Sequence, residues 1–223
     1  MLIYLDPGHG GSDPGASANG MLEKDITLKL AKKIRENLVE KYEVNVALTR
    51  EDDKDVSLKD RVEMANKAEA NFFLSLHVNA GGGEGYEDYI YSGLSALSKT
   101  AALREILHSV LANFYTGYRC VDRGMKKAGY YVLKETIMSA VLCENLFIDN
   151  AYDTKLLKDE VFIENLARAY TEAIAMTLNL DKKVKLLYAV QVGAYSSIVY
   201  ASRMANELKS KGYDAIIKEI PAQ

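Results

Sequence analysis

Cysteine is scarce in this chain: Cys120 and Cys143 are the two in 223 residues. That excludes the small extracellular class held together by a disulfide framework. Cys143 lies in an apolar strand pattern beside Glu144, which suits a small buried hydrophobe better than a nucleophile. No apolar stretch approaches the roughly 20 residues that a membrane helix requires, so a membrane is not an expected partner. Net charge is also small. With 28 basic and 31 acidic residues, a formal charge of −3 offers no electrostatic reason to expect nucleic acid. No basic segment or small-residue cleavage site precedes the first apolar run. The expectation is a chain made in the cytoplasm without a signal peptide.

What is present describes a globular protein. Hydrophobic residues make up 48% and charged residues 26%, and the length allows one domain plus a small appendage. The opening stretch is the most informative. Leu2 to Leu5 reads as a buried strand of a parallel sheet, and it stops at Asp6-Pro7-Gly8-His9-Gly10-Gly11. Proline and glycines force a turn there and leave little bulk around His9. In open α/β sheets, ligands bind beyond the carboxyl ends of strands, which is where His9 falls. Alone, a histidine in that place is more often structural. Two further residues change the reading: Glu23 opens a helical pattern, and His77 ends a second buried strand, Asn71 to Asn79. Imidazole, carboxylate and imidazole form the ligand set of a catalytic zinc that keeps a fourth position open. A phosphate-cradling loop is the weaker alternative, because Gly8–Gly11 lacks the Lys-Ser/Thr ending and opens no helix directly. Glu23 by itself could be a helix-start carboxylate favoured by the dipole.

Ile26, Leu30, Ile34 and Leu38 recur every four residues, as in an amphipathic helix packed on a sheet. Val44, Val46 and Leu48 alternate as a strand. Ser57 and Asp60 form a capping-box start for a helix carrying Leu58, Val62 and Ala65. Further strands are predicted over Tyr86–Tyr91, Tyr130–Leu133 and Ala140–Glu144. A long helix is predicted around Leu103–Leu111 and another over Glu160–Leu178. His108, inside the first of these helices, lacks a ligand-type partner at helical spacing and reads as a surface or boundary histidine. Strands alternating with helices argue for an α/β fold with a mixed, mostly parallel sheet. Beyond the charged Asp181-Lys182-Lys183 linker, Leu187–Tyr195 alternates as a strand. A helix with Ala201, Met204, Ala205 and Leu208 follows, Gly212 ends it, and Tyr213–Ile217 resumes a strand.

The segments DPGHGGSDPGA (Asp6–Ala16), LEKDITL (Leu22–Leu28), LTR (Leu48–Arg50), RVEMAN (Arg61–Asn66), SLHVNA (Ser75–Ala80) and CENLFIDN (Cys143–Asn150) occur in order over residues 1–180. In this they resemble the zinc-dependent N-acetylmuramoyl-L-alanine amidases of the Amidase_3 type. The resemblance implies a six-stranded sheet flanked by helices, and the strand count above agrees with it. It implies one Zn2+ held by His9, Glu23 and His77, with Glu144 as the catalytic base. Glu144 ends a buried strand, where an unpaired carboxylate is costly to keep. The implied substrate is the amide between N-acetylmuramic acid and L-alanine in peptidoglycan. The residue pattern alone says zinc hydrolase, so another zinc peptidase or a non-catalytic wall-binding protein stays open at this point. Arg50, Arg61 and Asn66 belong to the family pattern and suit loop bracing equally well, while Asn79 suits substrate orientation or a turn cap.

The string YAVQVGAYS with KGYDA at Lys211–Ala215 resembles one βαβ half of a SPOR peptidoglycan-binding module. This divides the chain into a catalytic domain, residues 1–180, and a partial SPOR-like unit, residues 186–223. The layout is similar to sporulation amidases that lyse the mother cell and to phage endolysins. Either would act on the cell wall after lysis or non-classical release. A single half leaves a sheet edge unpaired, so a homodimer through residues 186–219 is the expected way to complete it.

Overall fold

The computed structural model describes residues 1–184 and 191–219, and it separates into two units, Met1–Lys183 and Val184–Gln223. The first runs β1 (Leu2–Pro7), β2 (Ser17–Ala18), β3 (Met21–Leu22), α1 (Glu23–Lys41), β4 (Asn45–Leu48), α2 (Leu58–Lys67), β5 (Phe72–Asn79) and β6 (Tyr86–Tyr91). It continues through α3 (Lys99–Gly117), β7 (Asp122–Ala128), α4 (Tyr131–Glu135), β8 (Ser139–Phe147), α5 (Ala151–Lys158) and α6 (Glu160–Leu178). The main sheet has six strands in the order β4-β1-β5-β8-β6-β7, as expected. Strands β4, β1, β5 and β8 run parallel, β6 is antiparallel to β8, and β7 is parallel to β6. β2 and β3 form a separate antiparallel pair in the loop ahead of α1.

The apolar runs of β1, β5 and β8 are continuous because both faces of these strands are covered. On one face, Ile26, Leu30, Ile34 and Leu38 of α1 pack in a single core with Leu107 and Leu111 of α3 and Phe162, Leu166 and Tyr170 of α6. On the other face, Val62 and Ala65 of α2 and Val132 and Leu133 of α4 meet Phe73, Ala140 and Leu142. From β1 the chain moves outward to β4 and then returns to β5 on the opposite side of β1. The carboxyl ends of β1 and β5 therefore flank a topological switch point, the crevice where open α/β sheets place ligands.

Local signals explain the helix ends. Ser57 caps α2, its hydroxyl accepting from the Asp60 N–H at 3.1 Å and donating to the Asp60 carboxylate at 2.7 Å, the capping box anticipated above. Asp159 caps α6, and Asn179 closes it with a left-handed backbone at φ 51°. One expected strand is corrected. Residues 130–133 do not pair in the sheet: Tyr131–Glu135 is the short helix α4, and the sixth strand is Asp122–Ala128. Its sequence, DRGMKKA, escaped notice because an edge strand open to solvent can be mostly polar.

In the second unit, α7 (Ile198–Ser210) forms where the Ala201–Leu208 pattern places a helix, and the chain leaves it through Gly212 at φ 86°. The anticipated strand over 187–195 lies partly outside the described residues. Tyr213–Ile217 makes no ladder among the described residues, and part of the strand it was expected to pair with lies outside them. Among the described residues no helix is long and apolar enough to cross a membrane.

Candidate metal centre

His9, Glu23 and His77 converge at the switch point, each offering a ligand atom within 4.8 Å of the others. His9 follows β1 in a left-handed conformation, φ 60°. Its Nε2 lies 3.1 Å from Glu23 Oε2, and its Nδ1 lies 2.8 Å from Asp13 Oδ2. Glu23, at the first turn of α1, is 3% exposed. Its Oε1 meets His77 Nδ1 at 3.0 Å and accepts from the Val78 N–H, while Oε2 accepts from the Ala16 N–H. Two glycines keep the space clear. A methyl group on Gly8 would stand 2.3 Å from the His77 ring, and one on Gly15 would stand 2.6 Å from Glu23 Oε2.

The electrostatics of the three groups suit a cation. Burial works to raise the Glu23 carboxyl and lower both imidazoles, yet the contacts between them prevail. Glu23 is held well below the usual carboxylate range by His77 and His9. His9 is pushed up to about 9 by Glu23 and Asp13 against the pull of burial, and His77 is raised by Glu23 and Glu144. A pull that favours protons on these nitrogens also favours a divalent cation among them, which competes for the same lone pairs. The N, O, N donor set, the cleared space and the carboxylate behind His9 fit a zinc-type site.

Asp13 is a member of this cluster that the sequence reading missed. It lies four residues after His9 in the same glycine-rich loop, and that spacing was the available signal. A carboxylate on the second ring nitrogen of a ligand histidine fixes its tautomer and orientation. Asp13→Ala is therefore expected to weaken divalent-metal affinity by about 10- to 100-fold with the fold unchanged, measured by competitive zinc titration.

Glu144 lies on β8 directly opposite His77 of β5. One of its oxygens, Oε2, is buried without a hydrogen-bond partner among the described residues. Burial, with lesser repulsion from Glu23 and Glu87 and an opposing pull from His77, raises it to about 7. Glu144, His77 and His9 border a cleft of about 680 Å³, walled by Asp55 and Leu58 on one side and by Tyr130 and Tyr131 on the other.

Comparison with known proteins accords with this geometry. The sequence model of the N-acetylmuramoyl-L-alanine amidase family matches residues 3–176, and that of the SPOR domain matches residues 187–223. The chain belongs to the N-acetylmuramoyl-L-alanine amidase family. It is 43% identical over 219 residues to the sporulation-specific N-acetylmuramoyl-L-alanine amidase of Bacillus subtilis strain 168, covering 97% of this chain and 84% of that one. It is 48% identical over 183 residues to the endolysin of Bacillus phage SPP1, covering 82% and 68%. Among solved structures, the catalytic domain of the amidase CwlV from Bacillus (Paenibacillus) polymyxa var. colistinus superposes with a TM-score of 0.74. That match has 31% identity and covers 81% of this chain and 99% of that domain.

Elsewhere in this amidase, the residues whose roles the sequence left open act as braces. Arg50 is 1% exposed and donates to the carbonyls of Pro7, Gly8 and Lys24; Arg61 donates to those of Pro7, His9 and Val56. Together they hold the His9 loop by its backbone. Asn66 ties α2 to the end of α4 through Glu135 O and Ile137 N–H. Asn79 accepts from the Ala80 N–H, the turn-cap role, and also donates to Glu87. Cys143 is fully buried and its thiol is raised by that burial, so it is no nucleophile. His108 corrects the surface reading. It is buried, with Nδ1 2.6 Å from Asp88, because Asp88 on β6 supplies the partner that helical spacing could not reveal.

Proposed function

We propose that the chain is a zinc-dependent hydrolase of the amide between N-acetylmuramic acid and L-alanine in peptidoglycan, with one Zn2+ held by His9, Glu23 and His77. The observation that carries this is the pairing of an N, O, N donor cluster with a half-buried carboxylate one strand away, whose Oε2 is buried without a partner among the described residues. When bound, the ion would polarise the scissile carbonyl and make a water acidic near neutral pH. Glu144 takes a proton from the attacking water. It then gives that proton to the alanine nitrogen as the C–N bond breaks, leaving a free carboxylic acid and a free amine. A carboxyl group raised to about 7 suits both directions of transfer near neutrality. Arg50 and Arg61 keep His9 aligned through its loop. The open cleft between Asp55 and Tyr131 admits an extended wall fragment.

The test is release of soluble wall peptides with new N-terminal alanine, abolished by a chelator and restored by Zn2+. New termini at other residues would indicate a peptidase of another specificity. Binding to wall material without cleavage would indicate a wall-binding protein. His77→Ala is expected to retain clearly less than one equivalent of zinc, because two ligands hold the metal poorly. Full stoichiometric zinc in that variant, measured by plasma emission spectrometry, would remove His77 from the ligand set.

The SPOR-matching unit is assigned to wall binding. Ile198, Val199, Tyr200, Tyr213 and Ile216 leave apolar surface exposed within it, which supports self-association through residues 186–219. Sedimentation is expected to give a dimer for the full chain and a monomer for residues 1–183. A monomeric full chain at tens of micromolar would refute the association.

A further inference from the structure

The row of sheet residues that includes the centre continues past Glu144. His77, Glu144 and Glu87 are successive cross-strand partners on β5, β8 and β6, so their side chains share one face of the sheet. Glu87 is 2% exposed and fully engaged. Its Oε1 accepts from Tyr89 Oη at 2.6 Å and Asn79 Nδ2 at 3.0 Å. Its Oε2 meets Arg123 Nε at 2.5 Å and Lys126 Nζ. Two cations thus face one carboxylate, which leaves one positive charge over. Both cations are about one-third exposed, so the surplus faces solvent beside the catalytic carboxylate.

Their meeting on one face needs a device. Residues three apart in a regular strand point to opposite faces. Here the register shifts between Tyr86 and Asp88, and Gly124 takes φ 80°, so β7 carries a bulge between Arg123 and Lys126. The bulge turns both side chains onto Glu87. Arg123 uses only its Nε there. Among the described residues, the two terminal nitrogens make no hydrogen bond, while the guanidinium lies 4.9 Å from the Phe147 ring centre.

We propose that Arg123 and Lys126, positioned by Glu87, form a subsite for a carboxylate on the peptide arm of the substrate, which determines specificity one residue beyond the alanine. This rests on the amidase reading above. In a muramoyl-L-alanine substrate the lactyl carboxyl is consumed in the scissile amide, so the anionic groups lie on the peptide side. Two strand spacings separate the His77 row position from Glu87, roughly 10 Å. A peptide advances roughly 3.3–3.6 Å per residue, so the carboxylate on the residue after alanine lies roughly 7 Å from the scissile nitrogen, and the Arg123 side chain, which reaches back to Glu87, covers the remainder. Guanidinium and ammonium together give that carboxylate charge-assisted hydrogen bonds, and an amide in its place forfeits them.

The experiment compares N-acetylmuramoyl-L-alanyl-γ-D-glutamyl-L-lysine with its counterpart amidated at the glutamyl α-carboxylate. The wild type is expected to show a KM about tenfold lower for the acid, with similar kcat. Arg123→Gln and Lys126→Gln should each erase most of that preference by raising KM for the acid alone, and Arg123→Lys should retain it. Each variant leaves Glu87 one cation, so folding is preserved, and thermal denaturation verifies this. Equal KM values in the wild type, or a preference undiminished in both glutamine variants, overturns the subsite. Calorimetric titration with the two released tripeptides reads binding without turnover. An acid preference lost in Arg123→Gln supports the subsite even if neither substrate is cleaved, a result that would refute the amidase reading alone. No preference in that titration overturns the subsite whatever the turnover.

Discussion

Glu144→Gln is expected to lower turnover by about a hundredfold or more while the fold and metal content stay intact. The carboxamide matches the carboxylate in size but cannot take a proton from water or return one to the amine. The structural cost should be small for a specific reason: Oε2 of Glu144 has no partner to lose among the described residues. Removing a carboxylate with one buried, unpartnered oxygen should hold stability constant or raise it. Turnover on wall fragments, zinc content and thermal denaturation check the three parts. Turnover near the wild-type value would show that Glu144 is not the base. A stability loss accompanying the activity loss would instead make it a structural residue.

The second large effect concerns stability. Asp6→Ala is expected to cost about 3–5 kcal/mol, because it strands a buried arginine. Asp6 is 1% exposed and accepts from Arg61 and Thr49 on one oxygen and Ser75 on the other, each at 2.7 Å. Arg61 is itself 4% exposed, and without Asp6 its charge has no carboxylate within ion-pair distance among the described residues. Burial would raise Asp6, but Arg61 and the hydrogen bonds from Ser75, Arg61 and Thr49 outweigh it, so the carboxyl falls below its ordinary 3.8. A lowered folded-state value gives stability that is complete above the unfolded value and is lost as pH falls through the folded one. Urea unfolding measured from about pH 6 down to pH 3 should therefore show a steep loss below about pH 4 in the wild type, and a shallower one in Asp6→Asn. Parallel curves would show that the pair contributes nothing to acid sensitivity.

Much of the catalytic unit was legible because its signals are local or periodic. The four-residue spacing of Ile26 to Leu38, the continuous apolar runs of β1, β5 and β8, and the Ser57–Asp60 box each state their own structure. His9, Glu23 and His77 stood out because each terminates or opens such an element. β7 did not, since an edge strand faces solvent and carries no apolar alternation, and Tyr130–Leu133 imitated a strand while closing into a single helical turn. His108 was misplaced because helical spacing cannot report a partner on another element. Its buried position depends on Asp88, twenty residues away on β6.

The sequence by itself determined most of the elements that form and singled out the residues proposed to carry the chemistry. Backbone propensity, capping and hydrophobic period act within a few residues of one another and need no partner to be read. Only the tertiary structure decided that one oxygen of Glu144 is buried without a partner among the described residues, and that a bulge in β7 brings Arg123 and Lys126 together on Glu87. Those facts depend on strand register and on burial. Both are set by contacts between segments dozens of residues apart, and a local pattern does not contain them.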